Sequence, residues 1–412
     1  MEKRNLCILG LVCLLISYVT MICVQAEAAE TLHLGATVPF QIRLGIQMKN
    51  IFLMNADLLN KSGGLTVGGK TYMIQYHIYD DKYDADTGRA AIEKLVHEDK
   101  IKFNVGTFGS APALAMLGVT EPNKVPIFTP AAVEKLLNPN LKYVLHCYCS
   151  KQAYGLMKAL TEIQPEAKTV LILTADTETG HSLAVTHEKG YEAFGIKPLP
   201  TLYYKLGETD FSGIAVKAVS LKPGIFHGMG ITSGAEILQV VKALRDAGYK
   251  GPIMSEYVTQ EVLNDIVAKV GKKGVEGMLV TSYDPTMLPE NIRPKEATEL
   301  RENYEKYYGK WETEGVQWVG NWYTWLAAVK KADSLDPDKV MAAIDRNFEV
   351  KTPDGPAKFF TRPDLGNYKY CDYSKTIYTG IVKDGKVEFL FKRDPDYVID
   401  AIEHVYGIKM RK

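Results

Sequence analysis

From residue 31 onward, strand and helix signals alternate almost without interruption, and this alternation restricts the fold more than any other feature. TLHLGATVPF (31–40) is an apolar run closed by proline, and residues 45–60 carry apolar residues at helical spacing. KTYMIQYHIY (70–79) has the aromatic and β-branched content of a strand. An amphipathic helix (ADTGRAAIEKLVHED), a strand (IKFNVGTF), a helix at 111–121, the strand VPIFTP, a helix near 131–137 and the strand KYVLHCYC follow. The pattern restarts with a helix near 152–163 and the strand TVLILTA, and it continues to GMLVTSYD (277–284). Such βαβα order predicts parallel sheets covered by helices on both faces. The cleanest break lies near 147–155, and 412 residues suit two domains better than one. A polar crossover at 288–300 leads to the helices ELRENYEKYYGKW, GNWYTWLAAVKKADSL and DPDKVMAAIDRNF. The tail from Lys351 has short strands, two of them joined by a turn at Lys383-Asp384-Gly385.

The N-terminus reads as a secretion signal. Lys3 and Arg4 precede an uncharged, apolar stretch from Leu6 to Val24, and Ala26-Glu27-Ala28 is a small-x-small pattern that predicts cleavage after Ala28. A retained membrane anchor is the competing reading. A lipid anchor at Cys23 is disfavoured by the bulky Ile22 before it. Export leaves Cys147, Cys149 and Cys371, too few for a disulfide scaffold. Cys147 and Cys149 read as buried small side chains rather than a metal site. Lys plus Arg (49) balances Asp plus Glu (49), which argues against nucleic-acid or polybasic membrane-surface binding.

The most specific pattern match is a decoy. Gly64 to Thr71 fits the phosphate-loop pattern, but a helix precedes it and a strand follows, the reverse of what phosphate binding needs. Gly228-Met229-Gly230 with Gly234 has one residue too many for a dinucleotide fingerprint. The eight histidines are scattered, and His181 with Ser182 lacks a third partner or an oxyanion hole. No catalytic constellation, cofactor motif or metal-ligand spacing emerges, so an enzyme is not expected. Two strand ends do suit an anion. Gly109-Ser110-Ala111-Pro112 and Pro130-Ala131-Ala132-Val133 each end a strand where a helix is predicted to start, at the carboxyl edge of one sheet.

With these segments in order, the chain resembles the type I periplasmic binding proteins, most closely the leucine/isoleucine/valine-binding branch of ABC-transporter receptors. The segments are LHLGATVPF, YDDKYDADTGRAAIEKLV, VGTFGSAPALA, PIFTPAAVEKL, GVEGMLVTSYD and TPDGPAKF, over roughly 31–385. The resemblance implies two Rossmann-like α/β lobes, 29–149 plus 284–372 and 150–283 plus 373–412, joined by a three-segment hinge. The crossovers are expected near 148–151, 281–285 and 372–380. It implies a periplasmic, monomeric receptor without a cofactor that closes over a small carboxylate and delivers it to an ABC permease in the inner membrane.

The same resemblance assigns a ligand carboxylate to Ser110, Ala131 and Val133, its ammonium group to Glu256 and a covering aromatic to Trp318. The loop with Arg43 and Leu44 contributes, and so does Thr179. The departures are specific. Val133 replaces a frequent threonine, Thr179 stands near a usual aromatic, Tyr83 and Gly109 replace the cysteines of a small loop, and Glu256 aligns only across a one-residue gap. A branched-chain or other apolar amino acid is the first ligand expectation. An aromatic or short-chain carboxylate without an amine, held by Arg43, is the second. A ligand sensor for a signalling partner is a third use of the same fold.

Overall fold

The computed structural model describes residues 29–148, 150–231, 234–256, 258–281, 283–311 and 318–411. The leader with its cleavage after Ala28, and Cys149, lie outside the described residues. Among those described, no helix is long and apolar enough to cross a membrane.

A six-stranded sheet runs in the order 65–67, 70–80, 30–38, 103–105, 127–129, 144–146. All its pairings are parallel except that of 65–67 with 70–80. Helices 43–61 and 320–332 cover one face, where Leu34, Phe52, Phe103 and Trp325 are buried. Helices 85–97 and 110–120 cover the other, with Ile92, Leu95 and Met116 inside. The second sheet runs 386–393, 377–383, 279–280, 253–255, 225–228, 169–175, 197–198, with 202–204 also pairing to 169–175. Strands 279–280 through 169–175 are parallel, and 377–383 joins antiparallel. Near-continuous burial of Val170 to Ala175 is what a strand covered on both faces requires.

A third, antiparallel sheet of 349–352, 355–362 and 367–375 ties the two halves together. Successive side chains of a strand point to opposite faces. Accordingly Phe359 enters the core of the first sheet and Phe360 the core of the second.

Three expectations change in detail. The helix expected near 131–137 is a four-residue 3-10 turn, Glu134–Leu137; Ala131, Ala132 and Val133 lie outside it and are buried, and Val133 is extended (φ −86°, ψ 126°). The phosphate-loop match is a β-hairpin whose two turn residues, Gly68 and Gly69, have φ of 59° and 75°. In the C-x-C run the strand stops at His146, one residue before Cys147. The expected turn after Lys383 is present, with Asp384 and Gly385 at φ of 48° and 76° between strands 377–383 and 386–393.

Candidate functional site

The carboxyl ends of the two parallel sheets face each other across a cleft, where open α/β sheets place their ligands. Tyr83 follows strand 70–80, Phe108 follows 103–105, Ala132 follows 127–129 and Tyr148 follows 144–146. From the other side, Thr177 follows 169–175, Gly230 follows 225–228 and Glu256 follows 253–255. The cleft holds about 600 Å³ of unfilled space, part of it open to solvent.

Several contacts bridge the two sides. Thr179 donates to the Ser110 hydroxyl at 2.8 Å, and the Tyr83 and Thr179 hydroxyls lie 3.2 Å apart. Lys135 pairs with Glu178 at 2.6 Å, and Lys310 with Glu261 at 3.1 Å. Ser110 reaches this position because Gly109 turns the chain at φ 102° into helix 110–120. A Cβ on Gly109 would also come within 3.0 Å of the Tyr83 ring.

Glu256 faces the cleft and is partly buried. Burial pushes its carboxyl up to about 7, against weaker opposing effects from the Gly230 amide and the Lys375 charge. The Gly230 amide donates to it at 3.4 Å, with Gly230 at φ 60°. No cation forms an ion pair with Glu256 among the described residues. Lys375 is itself bound to Asp354 at 2.8 Å. Trp318 is 7% exposed, packs edge-on against Phe108 (centroids 5.2 Å) and lies tilted against Tyr148 (4.7 Å, 32° between the rings). Trp322 and Trp325 pack on each other instead, deeper in the first core.

Of the residues singled out in the sequence, Glu256, Trp318, Thr179 and Leu44 line the cleft. Ser110 is fully buried behind Thr179. Ala131 and Val133 do not line it, while the residue between them, Ala132, does. The Ala131 amide donates to Thr129 Oγ1 at 3.0 Å, and Val133 packs with Ala113, Leu136 and Val144. Arg43 is exposed at the start of helix 43–61, at the rim. Glu261, held below its ordinary value first by Lys310, also feels the Arg43 charge. His181 is exposed, paired with Asp176 at 2.8 Å and stacked on Tyr203. Tyr83, Phe108, Tyr148 and Gly230 were missed. Their shared signal is position, just beyond a strand's carboxyl end.

A buried charged network flanks the first crossover. Glu134 accepts from Lys151 at 2.9 Å and from Arg362, which also binds Asp364 (2.7 Å) and Asp372 (2.9 Å). Lys151 donates to Thr186 on helix 178–193 at 2.7 Å, so the network couples the crossover to the second lobe.

The model of the periplasmic binding protein family matches residues 37–367. The chain belongs to this family. Solved relatives share the fold. The leucine-binding protein LivK of Thermotoga maritima is 21% identical with a TM-score of 0.70, over 89% of this chain and 99% of that one. A solute-binding protein of an R. palustris ABC transporter, solved with benzoate, is 17% identical with a TM-score of 0.69, over 89% and 97%. LivJ of Streptococcus pneumoniae, solved with isoleucine, is 16% identical with a TM-score of 0.67, over 89% and 100%. The two facing sheets are therefore the lobes of a type I periplasmic binding protein, a solute-binding fold.

Proposed function

We propose that this chain is the solute receptor of an ABC importer and that its lobes close over an amine-bearing carboxylate, an α-amino acid. The observation that carries this reading is Glu256, a carboxyl aimed into the cleft without an ion-pair partner among the described residues. A ligand ammonium there would restore its ionised form, since an opposite charge offsets the desolvation that raises it. The hydroxyls of Thr179, Ser110 and Tyr83 form the polar edge where a ligand carboxylate would exchange partners with them, and Trp318 is the cover. LivJ, solved with isoleucine, supports the ligand class. The closing bodies are 29–149 plus 284–372 and 150–283 plus 373–412, and the closed form is what a membrane permease reads in the periplasm.

A second reading rests on the same carboxyl. With its carboxyl pushed up to about 7 by burial, Glu256 can hold a proton near neutral pH and donate a hydrogen bond to an amine-free ligand. The aromatic walls, Tyr83, Phe108, Tyr148 and Trp318, suit a benzoate-like carboxylate, and one structural relative holds benzoate.

A thermal-shift panel of amino acids and of aliphatic and aromatic carboxylates on the purified protein separates them. A ligand at 100 times its dissociation constant stabilises the fold by about 2.7 kcal/mol. Shifts with amino acids and none with their amine-free analogues support the first reading. The reverse pattern supports the second, and no shift with either class contradicts both.

A further inference from the structure

Behind the cleft, on the hinge side, lies a second chamber with about 530 Å³ of unfilled space, part of it open. Tyr148, Thr281 and Ile377, one residue from each chain crossing between the lobes, line it together with Gln152, His187 and His227. Tyr148, Glu256 and Trp318 line both chambers, so the proposed ammonium site stands in the doorway between them.

Three polar atoms of residues lining the chamber lack hydrogen-bond partners among the described residues. His227 is 1% exposed, and its Nε2 has no hydrogen-bond partner among the described residues. The same holds for Gln152 Oε1 and Thr281 Oγ1, both buried. Three such atoms around one space are costly to bury unless something enters to bind them. Among the described residues that line the chamber, Glu256 is the one carboxylate and no Lys or Arg is present. His187 donates through Nδ1 to the Leu183 carbonyl at 2.8 Å, and burial pushes it down to about 4, so its Nε2 presents a lone pair. His227 holds the Tyr191 hydroxyl through Nδ1 at 2.9 Å, and burial lowers it too. The nearby cations are occupied: Lys151 by Glu134 and Thr186, Lys375 by Asp354.

We infer that this chamber is the specificity subsite of the receptor, taking the neutral hydrogen-bonding end of an amino-acid side chain, a carboxamide or hydroxyl, while the ligand amine stays opposite Glu256. This rests on the amino-acid reading proposed above. An aliphatic side chain would leave the three polar atoms unmatched, and a site built to hydrogen-bond a group discriminates strongly against an analogue lacking it. An anionic end would meet the charge of Glu256. A cationic end would find no carboxylate beyond the one already matched.

The test is calorimetric titration of the purified protein with two near-isosteric pairs, asparagine against leucine and glutamine against methionine. The expected result is that the polar member of at least one pair binds about tenfold tighter or more. Gln152→Leu and Thr281→Val should then remove most of that preference, leaving the apolar member within about threefold. His227 is left intact because it also holds Tyr191. Circular dichroism and a melting temperature no lower than that of the native protein establish that the variants fold. Equal or tighter binding of both apolar members, with ratios unmoved by either variant, overturns the subsite and leaves the amino-acid reading standing. Binding of amine-free carboxylates alone overturns that reading and the subsite with it.

Discussion

Thr179 donates a hydrogen bond across the cleft to Ser110 at 2.8 Å. The donor opens helix 178–193 of one lobe and the acceptor opens helix 110–120 of the other, so the bond exists only while the lobes are together. Thr179→Val keeps the shape and removes the donor. A net hydrogen bond of about 1 kcal/mol, lost from the closed form alone, shifts the lobe equilibrium by about fivefold. Small-angle scattering of the unliganded variant should therefore show a larger radius of gyration than the native protein. An unchanged radius would mean that this bond does not hold the lobes.

The pH dependence has a definite sign. Glu256 has an ordinary value of 4.5 and is raised to about 7 in the fold, so the folded form holds its proton more tightly than the unfolded chain. The Glu256 contribution to the stability of the unliganded protein is fully present below its unfolded value and is lost as pH rises through about 7. Asp81, buried and likewise pushed up to about 7 by desolvation, acts in the same direction. Glu256→Gln should therefore remove part of the slope of Tm against pH, leaving the share of Asp81. Binding an amine needs the ionised carboxylate, so amino-acid affinity should rise about tenfold from about pH 6 to about pH 8. Affinity for an amine-free acid should fall over the same interval.

Arg362 is a stability determinant away from the cleft. It is fully buried and binds Glu134, Asp364 and Asp372 at once. Removing one partner of a buried ionic cluster leaves charge uncompensated. Arg362→Met should lower unfolding stability by about 3–5 kcal/mol in chemical denaturation.

Cys147 and Cys371 are buried, and neither forms a disulfide in the structure. Burial pushes the Cys371 thiol up to about 12 and raises Cys147 further. Only the thiolate attacks thiol reagents. Mass-spectrometric mapping after native labelling should find both unmodified, and labelling in denaturant should modify both.

Much of the architecture was legible because buried parallel strands and amphipathic helices write different periods into the chain. Glu256 and Trp318 were placed near the cleft by the family resemblance, whereas Tyr83, Phe108, Tyr148 and Gly230, just past strand ends, carry no residue type that marks them. Segment 130–133 misled because Ala131, Ala132 and Val133 carry no marker separating a helix start from a buried irregular run. The burial of Ser110 depends on Thr179, and Tyr148, Thr281 and Ile377 meet only through the three crossings. Such meetings leave no local spacing to read. The P-loop pattern failed in the opposite way, since two glycines with positive φ serve a hairpin as readily as a phosphate.

The most direct test of the account is the affinity of one amino acid and its des-amino analogue for the native protein and for Glu256→Gln, measured by calorimetry. The account predicts that the native protein prefers the amino acid and that Glu256→Gln weakens it by about a hundredfold or more, through loss of the ammonium's buried partner. The analogue should change by only a few-fold. An amino-acid affinity unaltered by Glu256→Gln would contradict it.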